Sequence, residues 1–125
     1  MTHRVFVYGT LLSGCHNNRL LNTAKLLEER VKTPGNLTMI NLGGYPGIIE
    51  GGNTVVKGEL YAVDDATLER LDRLEGHPQY YQRKPIIVET EDELITYNAE
   101  AYFLPNLYLQ RYKTIEGGSW KERNK

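Results

Sequence analysis

Apolar side chains along this chain come in short bursts separated by turn residues. Val5-Phe6-Val7-Tyr8 is continuous and rich in β-formers, the pattern of a strand covered on both faces. Leu37 to Leu42 alternates apolar and polar side chains, which is the period of a strand. Val55 to Val63 is the longest strand-like run, and Gly58 inside it marks a bulge or a close approach of another backbone. Ile86 to Glu89 and Tyr97 to Phe103 supply two further strands, the second stopped by Pro105. Clusters of turn residues, Gly43-Gly44-Tyr45-Pro46-Gly47 and Gly51-Gly52-Asn53, punctuate the middle of the chain.

Helical signals are fewer. Asp64 or Asp65 caps a helix running to about Glu75, with Gly76 at its stop. Asn17 or Asn18 caps a short helix through Leu20, Leu21 and Ala24. Lys25 to Val31 suits a helix or a strand, and Pro34-Gly35 ends it either way. Near the end, Leu107, Leu109 and Tyr112 are expected to pack on the sheet. Gly117-Gly118-Ser119 forms a loop, Trp120 a last anchor, and Lys121 to Lys125 a charged, fraying tail. The sum is an α+β fold: a small mixed, largely antiparallel sheet or β-barrel with one or two flanking helices. No repeat or linker divides residues 1–125, so one domain is expected.

Charge removes some function classes. Fifteen Lys and Arg face sixteen Asp and Glu, a net charge of -1, so there is no basic footprint for nucleic acid. The one cysteine, Cys15, allows no internal disulfide. No secretory signal and no membrane span is read from the sequence, and a cytoplasmic protein is expected.

Two places carry candidate chemistry. Where the first strand breaks at Gly9, consecutive main-chain N–H groups of Tyr8-Gly9-Thr10-Leu11 lose their ladder partners, and such a concavity holds a carboxylate. On the main helix, Glu75 lies four residues from Leu71 and seven from Leu68, so it emerges on the apolar face. Burial and the negative end of the helix dipole both disfavour its charged form. A glutamate tuned toward neutrality suits proton shuttling. Glu69 and Asp72 point elsewhere and read as solvated charges.

Other candidates are weaker. Glu59 sits mid-strand and ranks second to Glu75. Cys15 and His16 are adjacent and lack an orienting partner for thiol catalysis. His3, His16 and His77 lack metal-ligand spacing. The segment Gly43 to Gly47 lacks the Lys-Ser/Thr ending of a phosphate loop. Arg83 is better used in surface pairing with Asp or Glu.

In order and spacing, Val5-Phe6-Val7-Tyr8-Gly9-Thr10-Leu11, Asn18-Arg19-Leu20-Leu21, Gly43-Gly44-Tyr45-Pro46-Gly47, Gly58-Glu59-Leu60-Tyr61 and Leu71-Asp72-Arg73-Leu74-Glu75-Gly76, with Tyr81 and Arg83, resemble the gamma-glutamyl cyclotransferase superfamily. They are most similar to its gamma-glutamylamine cyclotransferase branch. The resemblance implies a small mixed barrel and a pocket between the first-strand loop and the helix end. It implies that Tyr8, Gly9, Thr10 and Leu11 hold the glutamyl part of a small-molecule substrate, with Tyr81 near the pocket. It implies Glu75 as the single catalytic acid/base, with no metal and no cofactor, in an enzyme that acts as an amine lyase. A non-catalytic module binding a small carboxylate or a protein on the same fold is the alternative. A monomer or weak homodimer is expected, with Tyr108, Tyr112 and Trp120 as the surface for any subunit contact.

Overall fold

The run Val5-Phe6-Val7 is buried on every side because it forms a central stave of a closed barrel. In the computed structural model, which describes residues 2–124, β1 (Thr2–Val7) is followed by β2 (Lys25–Lys32), β3 (Leu37–Asn41), β4 (Pro46–Glu50) and β5 (Lys57–Asp64). Helix α1 (Asp65–Glu75), β6 (Gln82–Thr90), β7 (Thr96–Phe103) and the short β8 (Lys113–Thr114) complete the chain. Strands run in the order β1-β5-β2-β6-β7, and β7 returns to pair with β1 in parallel at Val5↔Glu100. That closes five strands into a ring and removes their open edges. The other pairings within the ring are antiparallel. A side sheet of β4, β3 and β8 hangs from β7 through the parallel contact Ile48↔Phe103.

Val5, Phe6, Leu60, Val31, Val88 and Leu71 are essentially inaccessible and form the centre of the core. Helix α1 starts where Asp64 Oδ1 accepts from Thr67 N at 2.8 Å, and Gly76, at φ 67°, closes it. Leu68 and Leu71 face the barrel, whereas Leu74 is 42% exposed. The helix therefore docks by its middle and leaves its last turn at a surface opening. No described helix is long and apolar enough to cross a membrane.

The structure corrects several local expectations. Asn18–Leu21 is a single 3-10 turn, not a helix reaching Ala24, and Asn17 makes no side-chain cap. Lys25–Lys32 is a strand whose register against β5 shifts twice, and those irregularities blur its period. Pro46 and Gly47 belong to β4, a strand the sequence pattern hides behind turn residues. Strand β6 is far longer than Ile86 to Glu89. Leu107 and Tyr112 are exposed, while Leu109 is partly buried against the core.

The C-terminus is also better held than its charge suggests. Trp120 is buried, so it offers no surface for a subunit contact. Arg123 lies 3.6 Å above its ring and donates to its carbonyl at 2.6 Å. Residues 121–124 form a turn, and Lys125 lies outside the described residues.

Candidate active site

After Val7 the chain leaves the barrel wall and folds back on itself. Leu12 N donates to Gly9 O at 3.0 Å, and Asn17 N donates to Thr10 O at 3.0 Å. Asn17 Nδ2 donates to Thr10 Oγ1 at 2.9 Å, and Asn18 Nδ2 donates to Leu11 O at 2.8 Å. The two asparagines thus brace the preceding loop. The N–H groups of Gly9, Thr10 and Leu11 find no acceptor among the described residues. A Cβ on residue 9 would lie 2.6 and 2.7 Å from the Pro46 ring, so glycine lets the loop press against the start of β4.

A cavity of about 270 Å³ opens beside this loop. Its lining includes Tyr8, Gly9, Thr10, Leu11, Glu75 and Tyr81. All six residues singled out in the sequence therefore meet in one place. Tyr8, Leu11 and Tyr81 are buried and form its inner part. Gly44, Tyr45 and Leu74 are exposed and form its mouth. No Lys or Arg lines it.

Glu75 is half-buried, and no described side chain pairs with its carboxylate. Burial raises its pKa from 4.5 to about 7. Two phenols beside it are also shifted up. For Tyr8 burial dominates and the Glu75 charge adds. For Tyr81 burial comes first, then the charges of Tyr8 and Glu75. Both phenols keep their protons and spend them inside the wall: Tyr8 Oη donates to Tyr102 O at 2.6 Å, and Tyr81 Oη donates to Pro46 O at 2.6 Å. Each hydroxyl has one proton, so neither phenol has a donor left for a ligand.

Asp72 is not the solvated charge that its helix position suggests. It is half-buried, paired with the Arg83 guanidinium, and accepts from Tyr102 Oη at 2.7 Å. Arg83 Nε also reaches Glu100 at 3.2 Å. This network ties α1 to β6 and β7 directly below the cavity. Arg83 is used in pairing, as its sequence context suggests.

Glu59 belongs to a different structure. It is buried, and its oxygens accept from Ser13 N at 2.9 Å, Ser13 Oγ at 2.8 Å and Tyr61 Oη at 3.0 Å. Lys121 Nζ lies 3.9 Å away. The carboxylate bolts the far end of the loop to β5, outside the cavity lining. We expect Glu59→Ala to destabilise the fold by about 2–3 kcal/mol, because it removes three hydrogen bonds to a buried carboxylate and leaves the Tyr61 hydroxyl without its acceptor. Chemical denaturation measures this, and faster hydrogen exchange at residues 10–13 localises it.

His16 lines the cavity mouth and Cys15 does not. Tyr45, Tyr80 and Tyr102 also line the cavity; Tyr45 and Tyr80 come from the loops 43–47 and 77–81, which the family resemblance puts at the pocket mouth, whereas nothing in the sequence marks Tyr102. They lie on three segments far apart in the chain, and no local period connects them.

The gamma-glutamyl cyclotransferase, AIG2-like family matches residues 5–122. A gamma-glutamylcyclotransferase family protein, YtfP, of Escherichia coli K12 is 33% identical over 122 residues, 98% of this chain and 99% of that one. The solved structure of an AIG2-like protein from Mus musculus aligns with a TM-score of 0.74 at 27% identity, over 82% of this chain and 76% of that chain. Over a shorter stretch of 74 residues, the chain is 42% identical to gamma-L-glutamyl-butirosin B gamma-glutamyl cyclotransferase of Niallia circulans. That stretch is 58% of this chain and 46% of the relative. Because the match runs from the first buried strand to beyond Trp120 and the barrel closes as in its solved relative, the chain belongs to the gamma-glutamyl cyclotransferase, AIG2-like family.

Proposed function

We propose that this cyclotransferase acts on a gamma-glutamyl amine, closing it to 5-oxoproline and releasing the free amine. The observation that carries the proposal is the shared cavity: unpartnered amides of Gly9 to Leu11 and an unpaired, half-buried Glu75 face the same space. The name of the Niallia circulans relative, which acts on a gamma-L-glutamyl compound, supports a gamma-glutamyl substrate.

The chemistry fits so sparse a site. The substrate carries its own nucleophile, the alpha-amine. The amides hold the alpha-carboxylate and fold the glutamyl chain into the attacking conformer. Glu75 takes a proton from the alpha-ammonium, and the freed amine attacks the gamma-carbonyl. The new carbon–nitrogen bond closes the five-membered lactam. A remaining loop amide faces the oxygen that gains charge. As the old amide bond breaks, Glu75 passes that proton to the leaving nitrogen, and the second proton of the new ring nitrogen follows through the same carboxylate, so the amine departs as an ammonium and the lactam nitrogen keeps one hydrogen. Atoms and protons balance with no metal, no cofactor and no enzymatic nucleophile. A carboxyl with a pKa of about 7 exchanges protons in both directions near neutrality.

Incubation of the pure protein with gamma-glutamyl-epsilon-lysine and a panel of other gamma-glutamyl amines, followed by assay of 5-oxoproline, tests this directly. Product from at least one compound is expected. A panel that binds without turnover identifies instead a carboxylate-binding module.

A further inference from the structure

Tyrosines from two separate segments line the cavity mouth, and a third segment extends the aromatic array beyond it. Tyr45 comes from the turn before β4 and Tyr80 from the loop after α1, and both line the cavity. Their hydroxyls lie 3.0 Å apart. The Tyr80 ring meets Tyr81 edge-on at 4.9 Å and Tyr108 at 6.0 Å. Tyr112 extends the array, 6.3 Å beyond Tyr108. Tyr45 and Tyr112 are more than a third exposed, so the array is open to solvent at its outer edge.

Resting on the gamma-glutamyl amine reading, we propose that this tyrosine rim is a specificity site for the leaving group, and that it takes an amine carrying a second, distal ammonium. The glutamyl end occupies the buried inner part, at the amides. The leaving chain then passes Glu75 and emerges alongside the hydrogen-bonded Tyr45–Tyr80 pair. Ring faces attract a cation and repel a carboxylate. The hydroxyl pair uses one of its two protons between the rings, which leaves one O–H free and lone pairs on both oxygens for an ammonium that is donor only. No Lys or Arg lines the cavity to oppose a cation or to recruit an anion. Arg111 and Lys113, which flank Tyr112, are exposed and lie outside the lining.

The test compares gamma-glutamyl derivatives of 1,5-diaminopentane, hexylamine and 6-aminohexanoate, which share one chain length and differ in tail charge. Binding is measured by calorimetry on the Glu75→Gln protein, so that neither turnover nor the Glu75 charge contributes. The cationic tail is expected to bind about fivefold tighter than the neutral one and more than about tenfold tighter than the anionic one. Tyr80→Leu, or Tyr45→Phe with Tyr80→Phe as a milder pair, is expected to narrow that ratio. Equal binding of the three tails, a preference for the neutral or anionic tail, or no binding at all overturns the rim proposal. Turnover by the unmodified protein is assayed separately. Its absence with all three compounds counts against cyclisation and leaves a measured cation preference standing.

Discussion

Replacing Glu75 by Gln is expected to lower 5-oxoproline formation by ~100- to 10,000-fold and, above pH 7, to make the protein more stable. The first effect follows from the loss of the buried proton carrier in the cavity. The second follows from the cost of keeping it there. The unfolded carboxyl titrates near 4.5 and the folded one near 7. Between these values the folded chain holds a proton that the unfolded chain has released. Stability contributed by this group is therefore full below pH 4.5 and is lost as pH rises through 7. The loss amounts to roughly 3 kcal/mol at most, because a tenfold change in proton affinity on folding is worth about 1.4 kcal/mol. An uncharged glutamine side chain has no such dependence. Denaturation of both proteins at pH 5 and pH 8 should show the variant gaining on the wild type at the higher pH. The same ionisation governs activity, and kcat/KM is expected to fall as pH drops below about 7. Full turnover in the Glu75→Gln protein would remove the assigned role, and a stability difference independent of pH would remove its electrostatic basis.

Gly58→Ala is expected to destabilise the barrel by more than about 3 kcal/mol. A Cβ there would lie 2.1 Å from Val7 O and 2.8 and 2.9 Å from the Phe6 ring. The oxygen is main chain in a closed barrel and Phe6 is fully buried, so neither has room to give. Out of a typical total stability of roughly 5–15 kcal/mol, this loss lowers Tm by roughly 10 °C or more. Gly117→Ala is the control: its Cβ meets nothing within 4 Å, and its Tm should stay within a few degrees of the wild type. Because Val7 leads straight into the amide loop, any Gly58 variant that still folds is also expected to bind 5-oxoproline more weakly. Unchanged melting in Gly58→Ala would show that β1 and β5 approach less closely than the structure has them.

Elements with a clean local period were legible before any tertiary information. Val55 to Val63 and the helix stopped by Gly76 lie where the pattern put them, within a residue or two, and the strand read over Val5 to Tyr8 is present but begins earlier, at Thr2, and ends at Val7. Glu75 was legible for the same reason, since its spacing from Leu68 and Leu71 alone places it on the docking face. Strand β4 was not legible. Pro46 and Gly47 look like turn residues, yet glycine is needed there because Leu104 packs where a Cβ would stand, at 2.3 Å. Strand β2 was ambiguous because its pairing with β5 is irregular and much of it is solvent-exposed.

The sequence by itself determined which residues could do chemistry: a strand that breaks at Gly9, and an acid placed beside leucines at a helix end. Those are short-range properties, set by side-chain spacing and backbone freedom over a few residues. Barrel closure decided the rest. Asp72 and Glu75, three residues apart on one helix, became a paired strut and an unpaired acid because Tyr102 and Arg83 arrive beside only the first. Of nine tyrosines, Tyr45, Tyr80 and Tyr102 join Tyr8 and Tyr81 around the cavity because segments tens of residues apart meet there, and no local period encodes those contacts.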